Sequence, residues 1–589
     1  MPQRLLARYL RRYALRYLAG FGFLLLASLS ALAIPWMVKS AIEALEAGGG
    51  PADLGWFVGA ILLLAACHGL VRLGSRFAVL GAAQRIELDL RNDLYAHLQN
   101  LPPAFYQAHR TGDLMSRASN DLAAVKQLFG FGAVSLIGTT LTFAGTLIAM
   151  LAIDPWLTLF TMAPYPVVIL LAKRFNALVH VRSQAVQDQL GRLSAKVQEN
   201  LAGASVVRAY TMEGREVTEF DRLNREYLGL SLRLARTQAG FSPLMGLIAG
   251  TGTLIMLWLG GKAVVDGRIS LGAFVAFNGY LAHLAWPTIA LGWTLSIVRR
   301  ALSAMERIEE ILTAEPGIRD GTSALDLPPP PPRGEASGLS VEFRNLTFAY
   351  PGRSSALREI SVTIPAGSTV ALVGPTGSGK STLGILIPRL FDPPAGTVFV
   401  DGRDVRSLRL EALRLAVGYV PQESFLFSRS ILENLALAGD GVSEAGIRRA
   451  AALAGFADEV EAFPEGWATV VGERGLTLSG GQRQRAALAR ALLRDPRILI
   501  LDDAFASVDA AKEAEILGAL REVFAGRTVL LITHRLRAAQ LADRVLVLAE
   551  GRVVERGTHA ELLAQRGLYA RLWEVQQVEE ELEREGMER

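Results

Sequence analysis

Six stretches in the first 300 residues are long and apolar enough to cross ~30 Å of hydrocarbon as helices. They run roughly over 17–42, 54–80, 129–152, 155–173, 240–264 and 271–297, and no comparable run follows them. Backbone polar groups left bare in lipid are too costly, so each reads as a helix. The second run reaches its length only by including Arg72 and Arg76, which places those residues near a bilayer face or a water-filled cavity. The chain thus begins as a polytopic helical membrane domain. This accounts for an overall composition of 51% hydrophobic and 20% charged residues over 589 positions, against about 25% charged in a soluble domain. Disorder as the dominant state is excluded on the same ground. A disulfide scaffold is excluded because Cys67 is the single cysteine. A net charge of +4 is too modest for a nucleic-acid footprint, so no nucleic-acid partner is expected. Only seven of the 61 basic residues are lysine, a bias that reads as genomic composition. The scarcity of Cys and Asn fits a heat-adapted source.

Charge sets the expected orientation. Arg4, Arg8, Arg11, Arg12 and Arg16 precede the first run and place the N-terminus on the cytoplasmic side. Ala31-Leu32-Ala33 resembles a signal-peptide cleavage site, but the apolar run continues past it into Pro35. A basic, partly amphipathic entry helix on the membrane surface is the better reading. The connection after the first run carries Glu43, Glu46 and Asp53 and no Lys or Arg, and the connection after the third is a few residues around Asp154-Pro155. Both fit the outside. The long, arginine-rich connections after the second and fourth runs read as helical extensions into the cytoplasm. These features place the chain in the cell (inner) membrane as a multi-pass protein.

A boundary follows at 314–338, where Pro328 to Pro332 form an unbroken run flanked by Gly321, Gly334 and Gly338. Such a run favours polyproline II and a semi-rigid spacer over a docking ligand. The expected organisation is a membrane domain at 1–313, this linker, an α/β domain at 339–575 and a charged tail at 576–589.

The second half carries phosphate chemistry. Val370 to Val373 reads as a buried strand and leads into Gly374-Pro-Thr376-Gly377-Ser378-Gly379-Lys380-Ser381-Thr382, which opens a helical pattern. This is a P-loop in its confirming strand–loop–helix context. Its glycines let backbone N–H groups curl around an anion at a helix N-terminus. Lys380 would reach the β/γ-phosphates of ATP, and Ser381 would hold Mg²⁺. Arg497-Ile-Leu-Ile-Leu501 is an apolar strand ending in Asp502-Asp503. It reads as a parallel strand buried on both faces, its carboxylates at the end where α/β sheets bind ligands. Asp502 would orient the Mg²⁺ shell.

Between these lies Leu478-Ser479-Gly480-Gly481-Gln482. P-loop, LSGGQ and an apolar strand ending in Asp, in this order, resemble the nucleotide-binding domain of ABC transporters. Together with six spans, essentially the whole chain resembles a half-transporter of the ABC exporter type. The fold this implies is multidomain: an all-α polytopic membrane domain with long cytoplasmic extensions, fused to an α/β P-loop ATPase domain with a helical subdomain. The resemblance also gives roles to further positions. Tyr350 matches the aromatic that stacks on adenine, and Gln422 the glutamine that touches Mg²⁺. Ser479 to Gln482 match the signature that closes over a partner's nucleotide. Asp509 matches the aspartate that crosses the dimer interface, and His534 the histidine at the γ-phosphate. Gly472-Glu473-Arg474-Gly475 resembles a segment used for cross-domain coupling. Phe105-Tyr106 with Thr111 to Leu114, and Val206 to Tyr210, resemble the two coupling loops.

One position departs from the pattern. The family has Glu directly after the strand aspartate, and this chain has Asp503. The residue positions and polarises the attacking water. One methylene less withdraws the carboxylate by roughly 1 Å, a misplacement that can cost ~10²-fold in rate; a tolerated conservative swap with a shifted backbone is the rival reading. Because such domains sandwich ATP between one P-loop and the other chain's LSGGQ, the resemblance implies a heterodimer with a second half-transporter that has the glutamate. Its pattern is that of the degenerate-site subunit of a heterodimeric multidrug exporter. The expected cargo is hydrophobic or amphipathic: drugs, lipids or apolar peptides. His68, Asn278 and His283 are the polar candidates along the path, with Tyr280, Trp286 and Trp293 near the sixth run; helix packing is the rival reading for each. A lipid flippase, a homodimeric exporter and an ATP-gated channel or regulator are the alternatives, the last separable because only a pump accumulates cargo uphill.

Overall fold

The computed structural model describes residues 2–587 apart from 322, 330–336, 440, 473, 474 and 476, so Pro330 to Pro332 of the proline run fall outside the described residues. The chain folds as two compact units, one comprising 1–99 and 111–314, the other 100–110 and 315–589.

The first unit is helical throughout. A short helix, Pro2–Arg12, precedes the long helix Ala14–Glu46, and Ala31 to Ala33 lie inside the latter without a break. Its basic face is anchored: Tyr9 donates to Asp93 at 2.9 Å and Tyr13 to Asp89 at 2.8 Å, with Arg8 and Arg12 each 3.2 Å from the same two carboxylates. Pro51–Gln99 spans 49 residues. At 1.5 Å per residue it is ~74 Å long, more than twice the hydrocarbon thickness. Its second half therefore projects out of any bilayer its first half crosses. Tyr165–Ala202 and Glu213–Ile255 are similarly long. Among the described residues, three helices are long and apolar enough to cross a membrane by length and composition: Ala14–Glu46, Pro51–Gln99 and Thr111–Ile153. The other expected runs are helical but interrupted. One divides into Pro155–Met162 and Tyr165–Ala202, another passes through a π-turn at Met256–Gly260, and the last divides at Leu284 into Leu271–His283 and Ala285–Thr313. Asp154 caps Pro155–Met162 by accepting from the Leu157 N–H at 2.9 Å, and Pro155 occupies the first helical position, where its missing N–H costs nothing.

The second unit holds two sheets. β1 (Val341–Ala349), β2 (Ser355–Ile364), β4 (Val398–Val400) and β5 (Arg403–Asp404) form an antiparallel sheet ordered β2-β1-β4-β5. Along β1, Val341, Phe343, Leu346 and Phe348 face the core, as a strand with one solvated face requires. The larger sheet comprises β3 (Thr369–Val373), β6 (Val417–Val420), β7 (Ile498–Asp502), β8 (Thr528–Ile532), β9 (Arg544–Ala549) and β10 (Arg552–Gly557), in the order β10-β9-β3-β8-β7-β6. Only β10 runs antiparallel to its neighbour. Every residue of β3, β7 and β8 is buried, which is why these strands read as uninterrupted apolar runs. A helical region including Glu444–Leu453 and Gly480–Leu493 packs Phe456, Leu488 and Val460 into a core continuous with Leu499 and Leu501 of β7. Ala104, in the short helix Pro103–Ala108, packs against the core of the smaller sheet, so this excursion belongs to the second unit although it lies between helices of the first.

Candidate nucleotide site

The strand order brings the site together. β3 lies beside β8, and β8 beside β7, with Leu372 and Asp502 both in register with Ile532. The loop after β3, the carboxylates ending β7 and His534 after β8 therefore emerge side by side at the carboxyl edge of a parallel sheet. That is where such sheets bind ligands.

The P-loop is built on backbone that only glycine takes up readily. Gly374, Gly377 and Gly379 have φ of +146°, +80° and +102°. A Cβ on Gly374 would lie 2.1 Å from the Leu548 carbonyl, and one on Gly379 2.7 Å from the Ala356 carbonyl, so neither position admits a side chain. Gly379 caps the helix Lys380–Leu386. Pro375, Thr376 and Gly377 form the exposed crest, while Ser378 and Lys380 are buried beneath it. Lys380 Nζ donates to the carbonyls of Gly374 at 2.8 Å and Pro375 at 2.9 Å. Burial pulls its ammonium below the usual lysine range, and Asp503 and Asp502 act in the opposite sense. Tyr350 and Thr382 share a hydrogen bond of 3.1 Å, and the Tyr350 ring meets Phe391 edge-on at 5.1 Å.

Asp502 is 2% exposed and is gripped from two sides. Ser381 Oγ donates to Oδ1 at 2.8 Å and the Tyr419 hydroxyl to Oδ2 at 3.2 Å. Burial raises its pKa above the usual carboxylate value; the two hydrogen bonds oppose this, Asp503 adds to it and Lys380 counters it. The folded state therefore binds this proton more tightly than the unfolded chain. That contribution favours folding in acid and is lost as pH rises through the raised value. Asp502→Asn, which keeps an acceptor for Ser381 without the buried charge, should raise the melting temperature of the nucleotide-free protein near neutral pH. Differential scanning calorimetry checks this, and a fall in melting temperature would contradict it.

Asp503 sits at φ +50°, in the left-handed region that aspartate enters more readily than most residues. Its N–H donates to the Ile532 carbonyl at 2.8 Å. Its carbonyl accepts from Gln484 Nε2 at 3.3 Å, and Gln484 Oε1 in turn accepts from the Ser507 N–H at 2.9 Å. His534 is exposed, and its carbonyl accepts from Gln576 at 2.8 Å. Partial burial and Lys380 lower the pKa of its imidazole, against Asp503 and Asp502. Gln422, two residues beyond β6, is exposed and forms no hydrogen bond among the described residues.

The signature segment starts a helix. Ser479 caps Gly480–Leu493 by accepting from the Gln482 N–H at 3.2 Å, and Gln482 Oε1 accepts from the Ser479 N–H at 2.8 Å. This reciprocal pair satisfies two otherwise orphaned donors. A Cβ on Gly481 would fall 2.7 Å from the Ser507 carbonyl, so glycine lets the helix approach the 504–509 segment. Among the described residues, no hydrogen bond joins this segment to the chain's own P-loop. Asp509 caps the next helix, accepting from the Lys512 N–H at 2.8 Å. Glu473 and Arg474 lie outside the described residues.

Sequence reasoning missed Tyr419, Gln484 and Arg535. Arg535 Nη1 donates to the Val508 carbonyl at 2.7 Å and to Glu513, and Nη2 donates to the Ala506 carbonyl at 3.1 Å, tying the segment after β8 to that after β7. Its position directly after His534 is the one signal that could have drawn attention to it.

A P-loop on a parallel sheet, a strand ending in paired carboxylates, a histidine on the neighbouring strand and a glycine-rich helix cap, in one chain with membrane-length helices, define an ATP-hydrolysing membrane transporter. Residues 17–288 match the ABC transporter transmembrane region, and residues 357–506 match the ABC transporter domain. The chain is 34% identical over 573 residues to the probable multidrug resistance ABC transporter ATP-binding/permease protein YheI of Bacillus subtilis (strain 168), covering 97% of each chain. It is also 34% identical to the ATP-dependent lipid A-core flippase of Syntrophus aciditrophicus (strain SB), covering 97% of this chain and 94% of that one. The solved structure of a bacterial Atm1-family ABC exporter with ATP bound is similar at a TM-score of 0.75 and 29% identity, over 96% of this chain and 98% of that one. The chain belongs to the ABC transporter family, as a half-transporter in which a transmembrane region is fused to one nucleotide-binding domain.

Proposed function

We propose that the chain is the degenerate-site half of a heterodimeric exporter that drives hydrophobic or amphipathic compounds out across the cell membrane, with its N-terminus and nucleotide-binding domain cytoplasmic. The observation that carries this reading is the pairing of Asp503, where the family has glutamate, with an intact, properly capped Ser479-Gly480-Gly481-Gln482. In the chain's own site, Gly374 to Thr382 cradle the phosphates, Lys380 pairs with the β/γ-phosphates, Tyr350 stacks on adenine and His534 meets the γ-phosphate. The Ser381 hydroxyl and Asp502 carboxylate, already 2.8 Å apart, are the oxygen set a Mg²⁺ ion takes, with Gln422 close by in the sequence of strands. When bound, that ion neutralises charge on the transferred phosphate. Asp503 holds the attacking water from too far back, so this site binds ATP and turns it over slowly. The signature residues complete the partner's site, where hydrolysis is fast. Two ATP molecules favour the closed pair of domains, closure turns the cavity outward, and hydrolysis resets it.

The test is turnover by the purified chain alone in lipid nanodiscs. Little activity is expected, rising on addition of a partner half-transporter that carries glutamate. Asp503→Glu should raise turnover of the chain alone by up to ~10²-fold, the cost assigned to a misplaced catalytic group. Full activity of the unpartnered wild-type chain would refute the heterodimer and leave a homodimeric exporter. The relatives named as lipid A-core flippases favour a second reading, lipid translocation. Movement of labelled phospholipid without drug-stimulated ATPase would select it.

A further inference from the structure

Within the helical unit, a cavity of about 360 Å³ opens among the helices Ala14–Glu46, Pro51–Gln99, Ala133–Ile153 and the pair that meets at Leu284. Its lining is unusual for a membrane interior. His68, Arg72 and Arg76 recur every fourth residue and so occupy one face of one helix, and all three line the cavity. His283, Thr139 and Thr142, on other helices, line it as well. Among the described residues, no carboxylate lines it. Among the described residues, neither Arg72 nor Arg76 makes an ion pair, although arginines elsewhere in this unit do so repeatedly, as Arg307 does with Asp121 at 2.6 Å. His68 Nδ1 donates to the Ala27 carbonyl at 2.9 Å, which fixes the ring and leaves Nε2 for another partner.

Arg72 and Arg76 are exposed in the single chain as well as lining the cavity, and an arginine left unpaired at membrane depth is costly, two on one helix face more so. Their height matters. Counting 1.5 Å per residue from Leu54, Arg72 lies ~27 Å along the helix, near the far side of a ~30 Å hydrocarbon layer. On the orientation proposed above, that is the level of the cytoplasmic headgroups. Snorkelling to annular lipid would account for arginines on the outer surface of the bundle. It does not account for arginines lining a cavity together with His68 of their own helix and with His283, Ser28, Ser135, Thr139 and Thr142 of other helices. Guanidinium groups pair bidentately with carboxylate and phosphate oxygens, and hydroxyls and imidazole N–H groups complete the same kind of oxyanion shell.

We propose that this cavity is a binding site for the oxyanion headgroup, carboxylate or phosphate, of an amphipathic substrate entering from the cytoplasmic leaflet. Arg72 and Arg76 hold the charge, and His68 and His283 lie deeper, toward the tail. The proposal rests on the export reading and narrows its substrate class: amphiphiles carrying a single oxyanion are preferred over neutral or cationic ones of equal chain length.

The test uses the full chain with its partner half-transporter, in nanodiscs of phosphatidylcholine so that no bulk anionic lipid competes. Binding of radiolabelled dodecyl phosphate, laurate, dodecanol and dodecyltrimethylammonium is measured by scintillation proximity. Dodecyl phosphate or laurate should bind at least ~10-fold more tightly than dodecanol, and the ranking of the two anions identifies which oxyanion the site prefers. Arg72→Gln/Arg76→Gln should remove that preference, and Arg72→Lys/Arg76→Lys should keep part of it. Should the glutamine pair fail to fold, judged by elution and melting, raising salt on the wild-type protein must still weaken the anions and not dodecanol. Equal binding of all four probes, or anion binding insensitive to both salt and the substitutions, overturns the site. ATP-driven uptake of a neutral or cationic dye alongside that negative result would leave the export reading standing. Arginine-dependent anion binding without any ATP-driven uptake would remove export and keep the site.

Discussion

Replacing Ser479 by aspartate should nearly abolish ATP turnover by the assembled heterodimer, whereas Asp503→Asn in the same chain should change it only slightly. The two substitutions separate the roles proposed for this half-transporter. Ser479 is the N-cap of Gly480–Leu493, and its hydroxyl already accepts from the Gln482 N–H. Aspartate caps a helix as well as serine does, so the local fold survives the change. What changes is the charge presented to the partner's nucleotide. A carboxylate ~4 Å from a phosphate costs about 4 kcal/mol at an effective dielectric of 20, roughly a thousandfold in closure of the partner's site. Asp503 belongs to a site proposed to be slow already, so neutralising it removes little. Steady-state phosphate release by the purified complex measures both. Loss of turnover with Asp503→Asn, together with normal turnover in the Ser479 variant, would reverse the assignment of fast and slow sites.

Lys380→Ala should weaken nucleotide binding at this chain's own site by about 100-fold, the worth of a charge-assisted hydrogen bond near 3 kcal/mol. Lys380 is buried beneath the P-loop crest, with Nζ on the Gly374 and Pro375 carbonyls. Its removal therefore withdraws a phosphate partner and also leaves two loop carbonyls short of a donor. Lys380→Arg retains the charge, but the larger planar head does not fit the space between those carbonyls, so it should not rescue affinity. Fluorescent-nucleotide titration of the chain alone reads this directly, without needing hydrolysis. Unchanged affinity in Lys380→Ala would remove Gly374 to Thr382 as the phosphate cradle.

Much of the nucleotide site was legible from local pattern because its parts are local. A buried parallel strand declares itself as an apolar run, as in Thr369–Val373 and Ile498–Asp502. The P-loop glycines follow from backbone angles that side chains exclude, and the Ser479 cap follows from a serine three residues before a glutamine. Contacts between segments far apart in the chain left no such trace. Tyr419 reaches Asp502 across 83 positions, and Gln576 grips the carbonyl of His534 across 42. Neither partner is marked by type or spacing. The membrane candidates divided in the same way. Tyr280, read from sequence as possible cavity lining, is 1% exposed and donates to the Leu32 carbonyl at 2.7 Å, so it packs helices together. Asn278 is exposed and outside the cavity that holds His68 and His283, Trp293 packs on Phe131 at 4.7 Å, and the Trp286 side chain lies outside those described.

Amino-acid order alone determined that this chain enters a membrane and grips a nucleotide, because hydrophobic run length and P-loop backbone geometry are properties of contiguous residues. It also placed two arginines at the edge of a span. Only the tertiary structure decided that Arg72 and Arg76 share a cavity with His68 and His283, and that Ser381 and Tyr419 converge on one carboxylate. Those arrangements depend on which helices and strands become neighbours, and packing between distant segments, not local periodicity, sets that choice.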